Sequence, residues 1–237
     1  MKIYNKLTQN TSTQLAVLID PQNATNNFIE EVLKQENYID LFLIGGSLVW
    51  KNFDSQIEKI KSITIKPVVL FPGNYFQISP KADGILFLSL ISGRNPEYLI
   101  SQHVQSAMIL NESKLEVIPT GYILLSSEKV STTEYITNTK PIPIEKTEII
   151  VATALAGKLL GMKAIYLETG SGSNTSVSEN IIKEVKKHTK LPLIVGGGIS
   201  DAQTAQKISK SGANVIVVGN AIEKNPQLIP IMKKAIE

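Results

Sequence analysis

The 237-residue chain has no cysteine, which excludes a disulfide framework and thiolate chemistry. Arginine is almost missing as well: Arg94 is the single one. A protein that grips phosphate through bidentate guanidinium forks would not be built this way. Any phosphate ester bound here must therefore be held by backbone amides, lysines or a metal. Long apolar runs are also absent, the longest being about seven residues against the ~20 needed to span a bilayer. The polar, short stretch before Tyr4 does not read as a signal peptide, so a cytoplasmic location is expected. Nor does charge of one sign accumulate. The net charge of +3 is spread over scattered lysines, with no basic block or aromatic-interleaved stripe, which argues against nucleic acid as a partner.

What is present is apolar sequence in short pieces, 43% of the chain, enough for a full core. Two pieces stand out, Leu193-Ile194-Val195-Gly196-Gly197-Gly198-Ile199 and Val215-Ile216-Val217-Val218-Gly219-Asn220. Each is a solid apolar run ending in glycine, the mark of a strand buried on both faces that feeds a tight loop. Ser200 to Gly212 between them reads as a helix, with Ser200 as its cap, Ala202, Ala205, Ile208 and Ser209 as its inner stripe and Gly212 as its stop. Two parallel strands with bare glycine backbone at their carboxyl ends form the kind of phosphate cradle found in the last quarter of a (β/α)8 barrel. There, backbone N–H groups hold a dianion without a basic side chain.

The rest of the chain repeats the theme. Strands are expected at 14–20, 41–45, 67–71, 84–88, 116–125, 164–168, 192–196 and 214–219. Helical patterns fall at 25–34, 48–62, 95–108, 148–160, 176–188 and 225–236. Eight strands alternating with helices favour one closed α/β domain over 1–237, a single (β/α)8 TIM barrel. One unit departs. About a dozen residues separate Phe71 from Gly84, and they include Pro72, Gly73 and Pro80. A crossover helix needs more room and does not tolerate such prolines. The third helix is expected to be replaced by an extended segment, Asn74-Tyr75-Phe76-Gln77-Ile78, leaving an apolar gap in the outer ring.

Barrel chemistry collects at the carboxyl ends of strands. Strand one ends in Ile19-Asp20-Pro21, strand two in Gly45-Gly46-Ser47 and strand six in Tyr166-Leu167-Glu168-Thr169-Gly170-Ser171-Gly172. Asp20 and Ser47 offer oxygen ligands on adjacent strands, which suits a partly hydrated Mg²⁺ bridging a bound phosphate. Glu168 ends an apolar strand before a glycine loop, where a carboxylate can accept a proton from a substrate hydroxyl. Tyr166, two residues earlier on the same face, either donates a hydrogen bond or fills the barrel. Asp40 and Asp83 fall at amino ends and are assigned to stability. His103 and His188 are placed on helices away from the mouth, and Trp50 and Tyr122 are read as packing.

These motifs, with Ser92-Gly93-Arg94-Asn95-Pro96 and Pro119-Thr120-Gly121-Tyr122, resemble the geranylgeranylglyceryl phosphate synthase family, including its bacterial PcrB-like members. The likeness covers nearly the whole chain with the motifs in order. It implies a Mg²⁺-dependent prenyltransferase of lipid biosynthesis that joins a prenyl diphosphate to sn-glycerol-1-phosphate and releases diphosphate. It implies Asp20 and Ser47 as metal ligands, while Glu168 is read as the catalytic residue from its place at the strand end before a glycine loop. It also implies Tyr166, Leu167, Glu168, Thr169, Gly170, Ser171, Gly172, Gly196, Gly197, Gly198, Gly219 and Asn220 as the glycerol phosphate site. A homo-oligomer is expected, with peripheral membrane contact for product release. Gln22-Asn23, Thr169 and Ser200 depart from the commonest residues of the family, none of them a proposed metal ligand. Two rival readings stand beside this one: an isomerase or lyase acting on a phosphosugar with the same cradle, and a non-catalytic barrel that binds a phosphometabolite.

Overall fold

Each buried strand carries two sets of side chains, and the fold sends them to two separate cores. The computed structural model describes residues 2–10, 12–126 and 128–237. Eight parallel strands, β1 (Gln14–Ile19), β2 (Leu41–Ile44), β3 (Val68–Leu70), β4 (Gly84–Leu90), β5 (Glu116–Leu124), β6 (Ala164–Glu168), β7 (Leu193–Gly196) and β8 (Val215–Val218), pair in sequence order, and β8 closes on β1. Leu15, Val17, Phe42, Ile44, Ile165, Leu167, Val195 and Ile216 face outward to the helices. Their alternates Ala16, Leu43, Val69, Tyr166, Ile194 and Val217 fill the barrel. This two-sided burial explains why the strands read as unbroken apolar runs.

The helices are α1 (Lys2–Gln9), α2 (Asn26–Leu33), α3 (Asp54–Ile63), α4 (Ser101–Glu112), α5 (Thr132–Thr137), α6 (Thr147–Leu159), α7 (Glu179–Thr189), α8 (Ala202–Lys210), α9 (Asn220–Lys224) and α10 (Leu228–Ile236). None of the described helices is long and apolar enough to cross a membrane. Several expected helices begin later than their patterns suggest, α3 and α4 by the most. Residues 48–53 are loop before α3, and the Asn95-Pro96 start opens a short 3₁₀ turn over Pro96–Tyr98 before α4. The 225–236 pattern resolves into α10 alone, with the separate α9 ahead of it.

α1 was not anticipated. It plugs the amino end of the barrel by inserting Ile3 and Leu7 among the interior side chains. The Glu116 carboxylate receives the Ile3 and Tyr4 amides at 2.9 and 2.8 Å, satisfying two free donors of its first turn. Burial of Ile3 and Leu7 contributes about 1.5–3 kcal/mol each. At the same end Asp40 accepts from the Leu15 amide at 2.7 Å and pairs with Lys233, while Asp83 accepts from the Val68 amide at 2.9 Å and pairs with Lys61. Both acids stitch strand starts to their surroundings, as their position predicts.

No helix connects β3 to β4. The connection is not uniformly extended, however: the Gln77 amide donates to the Asn74 carbonyl, making a tight turn at Tyr75-Phe76. α8 also differs in its start. Asp201, not Ser200, caps it, accepting from the Thr204 amide at 2.8 Å. The carboxylate is the stronger acceptor for the free amides of a first turn.

Candidate active site

The turn after β1 brings Asp20 to the barrel mouth. Its carbonyl receives the Ala24 amide, and its carboxylate receives the Gln22 amide and the Asn23 side-chain amide, both at 2.9 Å. The carboxylate lies over Gly46, where a Cβ would come within 3.2–3.3 Å of it. Ser47, the next residue, lines the same cleft as Asp20. The Ser47 hydroxyl is 3.0 Å from that of Thr133 on α5. Among the described residues no three His, Cys, Asp or Glu side chains group closely enough to cage a metal. One carboxylate beside one hydroxyl fits a Mg²⁺ that keeps most of its waters and arrives with a phosphate ligand.

Glu168, at the end of β6, is buried, 7% exposed. Loss of solvent pushes its carboxyl up to about 7, against the pull of the Gly170 and Thr169 amides and the Tyr166 hydroxyl. The Gly170 amide donates to Oε1 at 2.8 Å. Tyr166 is fully buried, stacked at 5.1 Å on Phe71 and 5.2 Å on Tyr122. Its hydroxyl lies against Glu168 without a well-directed hydrogen bond, and burial raises it well above the usual phenol range. Tyr166 thus fills the barrel and faces the acid at once. The Thr169 hydroxyl is likewise buried without a partner among the described residues.

The glycine loop after β7 runs with Gly197 at φ +80° and Gly198 at φ +65°, the left-handed region that glycine alone enters freely. Space is as restrictive as conformation. A Cβ on Gly197 would strike the Glu168 carboxylate, and one on Gly198 the Thr175 carbonyl. Across from them Ser171 donates to the Asn220 side-chain oxygen at 3.0 Å, linking the β6 and β8 loops.

Two cavities meet at this mouth. A polar cleft of about 700 Å³ is lined by Asp20, Ser47, Tyr166, Glu168 and the loops at Ser171-Gly172, Gly197-Gly198 and Gly219-Asn220. An apolar slot of about 110 Å³ is lined by Phe71, Tyr75 and Ile78 of the β3–β4 connection together with Phe87, Tyr98, His103 and Leu110. Gly46, Ser47, Phe71, Tyr122 and Thr133 line both. Asp20, Ser47, Tyr166, Glu168, Ser171, Gly172, Gly197, Gly198, Gly219 and Asn220 all line this cleft. Leu167 instead faces the helices, and Thr169, Gly170 and Gly196 are buried behind the lining.

Two sequence readings need correction. His103 is not remote: it lies in the slot, edge-on to Phe87, with Nε2 2.9 Å from the Ser89 hydroxyl. Its burial disfavours the imidazolium. Trp50 is not packed but 69% exposed on the cleft rim. Tyr122 packs as expected, yet also walls both cavities. Asp20 and Glu168 share the mouth with a third acid. Glu223 on α9 lines the same cleft, and partial burial together with the Asp20 charge raises its carboxyl. Helix α5 went unread although the capping-box spacing Ser131…Glu134 announces it. The Ser131 hydroxyl accepts from the Glu134 amide at 3.1 Å.

A model of the PcrB family matches residues 8–236. The chain belongs to the PcrB family. A geranylgeranylglyceryl phosphate synthase of Chitinophaga pinensis is 44% identical over 241 residues, covering 99% of this chain and 96% of the relative. One from Pyrococcus furiosus is 38% identical over 222 residues, covering 92% and 88%. Among solved structures, the (S)-3-O-geranylgeranylglyceryl phosphate synthase of Thermoplasma acidophilum in complex with its substrate sn-glycerol-1-phosphate superposes with a TM-score of 0.92. It shares 30% identity, covering 99% of this chain and 97% of that one.

Proposed function

We propose that this chain is a prenyltransferase that joins a prenyl diphosphate, geranylgeranyl diphosphate first among them, to the C3 hydroxyl of sn-glycerol-1-phosphate and releases diphosphate. The observation that carries the reading is the meeting of two unlike cavities at one barrel mouth, with a buried acid in the wall of one of them. A polar cleft walled by glycine backbone suits a small phosphate ester, and an apolar slot suits a hydrocarbon tail. Glu168 stands in the cleft wall, and the two spaces join at Ser47 and Tyr122. The relatives named above carry the same activity in their names.

In this mechanism the amides of the Gly197-Gly198 and Gly219-Asn220 loops take the glycerol phosphate dianion, consistent with the scarcity of arginine. Ser171 and Asn220 hold the β6 and β8 loops at a fixed distance. The glycerol hydroxyl then points at Glu168, whose carboxylate accepts its proton as the oxygen bonds to the allylic carbon. The bond from that carbon to the diphosphate oxygen breaks, and the electron pair leaves with diphosphate. Phe71, Tyr122 and the slot wall exclude water that would otherwise take the prenyl group. Asp20 and Ser47 would hold Mg²⁺ against the diphosphate. That ion would supply neutralisation of the leaving group's charge.

The apolar residues Val104 and Met108 on α4 and Leu159 on α6 are exposed, which favours a homo-oligomer built through this side of the barrel. Incubating the protein with sn-glycerol-1-phosphate and a ladder of prenyl diphosphates tests the main reading. A glycerol phosphate ether and free diphosphate are expected. Turnover of a phosphosugar with no ether from any donor would overturn it.

A further inference from the structure

Two loops at the common mouth of slot and cleft carry large apolar side chains into solvent. Leu48 is 55% exposed and Trp50 69% in the β2–α3 loop, and Phe76 is 62% exposed beside Tyr75 in the β3–β4 connection. Neither loop is a loose flap, because Gln77 ties them together. Its Nε2 donates to the Gly46 carbonyl at 3.1 Å, and its Oε1 accepts from the Gly73 amide at 3.0 Å. Tyr75 and Phe76 brace one another edge to face at 5.1 Å. Ordinary folding gives no reason to hold a tryptophan, a phenylalanine and a leucine outward on a cross-linked pair of loops.

Charge points the same way. Residues 45–53 and 71–80 contain a single charged side chain, Lys51, and no acid. Lys51 follows Trp50 directly and is exposed. Rings with a polar edge, a leucine and one lysine on a charge-poor surface match the boundary of a bilayer with anionic headgroups. A second copy of this chain seated here would cover the mouth of the apolar slot. A bilayer would instead put hydrocarbon against that mouth.

We propose that Leu48, Trp50, Lys51 and Phe76 form a lipid-docking face that sets the slot mouth against the membrane surface. A hydrophobic donor would then pass from bilayer to slot, and the ether product back, without crossing open water. The purpose of docking rests on the prenyl-transfer reading, whereas the docking rests on the exposed residues alone.

Trp50 is the only tryptophan in the chain, so its emission reports on this face directly. The full-length protein, without substrates, is mixed with vesicles of phosphatidylcholine and phosphatidylglycerol, with and without acyl-brominated lipid. Co-sedimentation, a blue shift and quenching by the brominated chains are expected. Lys51→Glu should weaken partitioning by about five-fold or more, and Phe76→Ser should weaken it in the same direction. Phe76→Ser should keep its turnover on geranyl diphosphate, a short donor soluble in water. Solvent-exposed emission unchanged at saturating lipid overturns the proposal. So does a shift that follows protein concentration without vesicles, which would make this face a contact between subunits. If vesicles quench Trp50 while no prenyl diphosphate is turned over, the docking stands and the assigned reaction falls.

Discussion

Replacing Glu168 by glutamine should separate activity from stability in opposite directions. The carboxyl sits at about 7 in the folded protein against 4.5 for an ordinary glutamate, chiefly because burial removes its solvent. At about 1.4 kcal/mol for each tenfold change in proton affinity, ionising it in place costs about 3 kcal/mol. The native state binds this proton more tightly than the unfolded chain does. Stability therefore falls as pH rises from about 4.5 to about 7, and above that range the whole cost is present. Glutamine cannot ionise, still accepts from the Gly170 amide, and can offer its own amide to the unpartnered Tyr166 hydroxyl. Glu168→Gln should thus gain up to about 3 kcal/mol at pH 8 and nothing near pH 4. For a chain of this size, that is a rise in Tm of up to about 10 °C. Turnover should move the other way, falling about 10²–10⁴-fold with the loss of a positioned base. In the wild type, kcat/KM should drop about tenfold per pH unit below pH 7, because only the carboxylate accepts a proton. That acid limb should vanish in the variant. Thermal unfolding at both pH values and a pH–rate profile read all three effects. Near-normal turnover in Glu168→Gln would remove it as the base. Equal stability of both proteins at pH 8 would refute the burial argument.

Asp20→Asn should keep the turn, since the amide oxygen can still accept from Gln22, but the Mg²⁺ concentration for half-maximal turnover should rise at least tenfold; an unchanged titration would take Asp20 out of the metal site. Gly198→Val places a side chain against the Thr175 carbonyl at a φ of +65°, so calorimetry should show sn-glycerol-1-phosphate binding lost and prenyl diphosphate binding kept. Equal loss of both ligands would mean a disturbed fold instead. Ser106→Phe fills a position on the slot wall and should shift donor preference to shorter chains in a competition assay; an unshifted preference would place the tail elsewhere.

Legibility of this fold varied with how local its physics is. β6 is read from sequence at its observed ends, Ala164–Glu168, because burial on both faces leaves an unbroken apolar run and the following glycines stop it. α1 escaped because its 8 residues show only Ile3 and Leu7 as buried apolar groups. Its place depends on Glu116, more than a hundred residues away. The break after β3 was visible in Pro72, Gly73 and Pro80, since a missing crossover helix is a property of chain length and proline. What the break is for was less visible. An apolar gap becomes a slot only if something closes its far side, and here that side is built by Tyr98, His103 and Leu110 from the next unit and by Ile136 and Thr137 from α5. Reading His103 as a helix-face residue fails for the same reason: its helix face is turned into a space that the neighbouring unit vacated. The same non-locality governs Glu168. Its position at a strand end could be read directly, but a carboxyl that ionises near neutrality is made by burial under the β7 glycines and the barrel wall, against the pull of the Gly170 amide and the Tyr166 hydroxyl. A glutamate with the same neighbours in sequence but an open flank would titrate as an ordinary acid. It would then be too weak a base to take a proton from a glycerol hydroxyl efficiently.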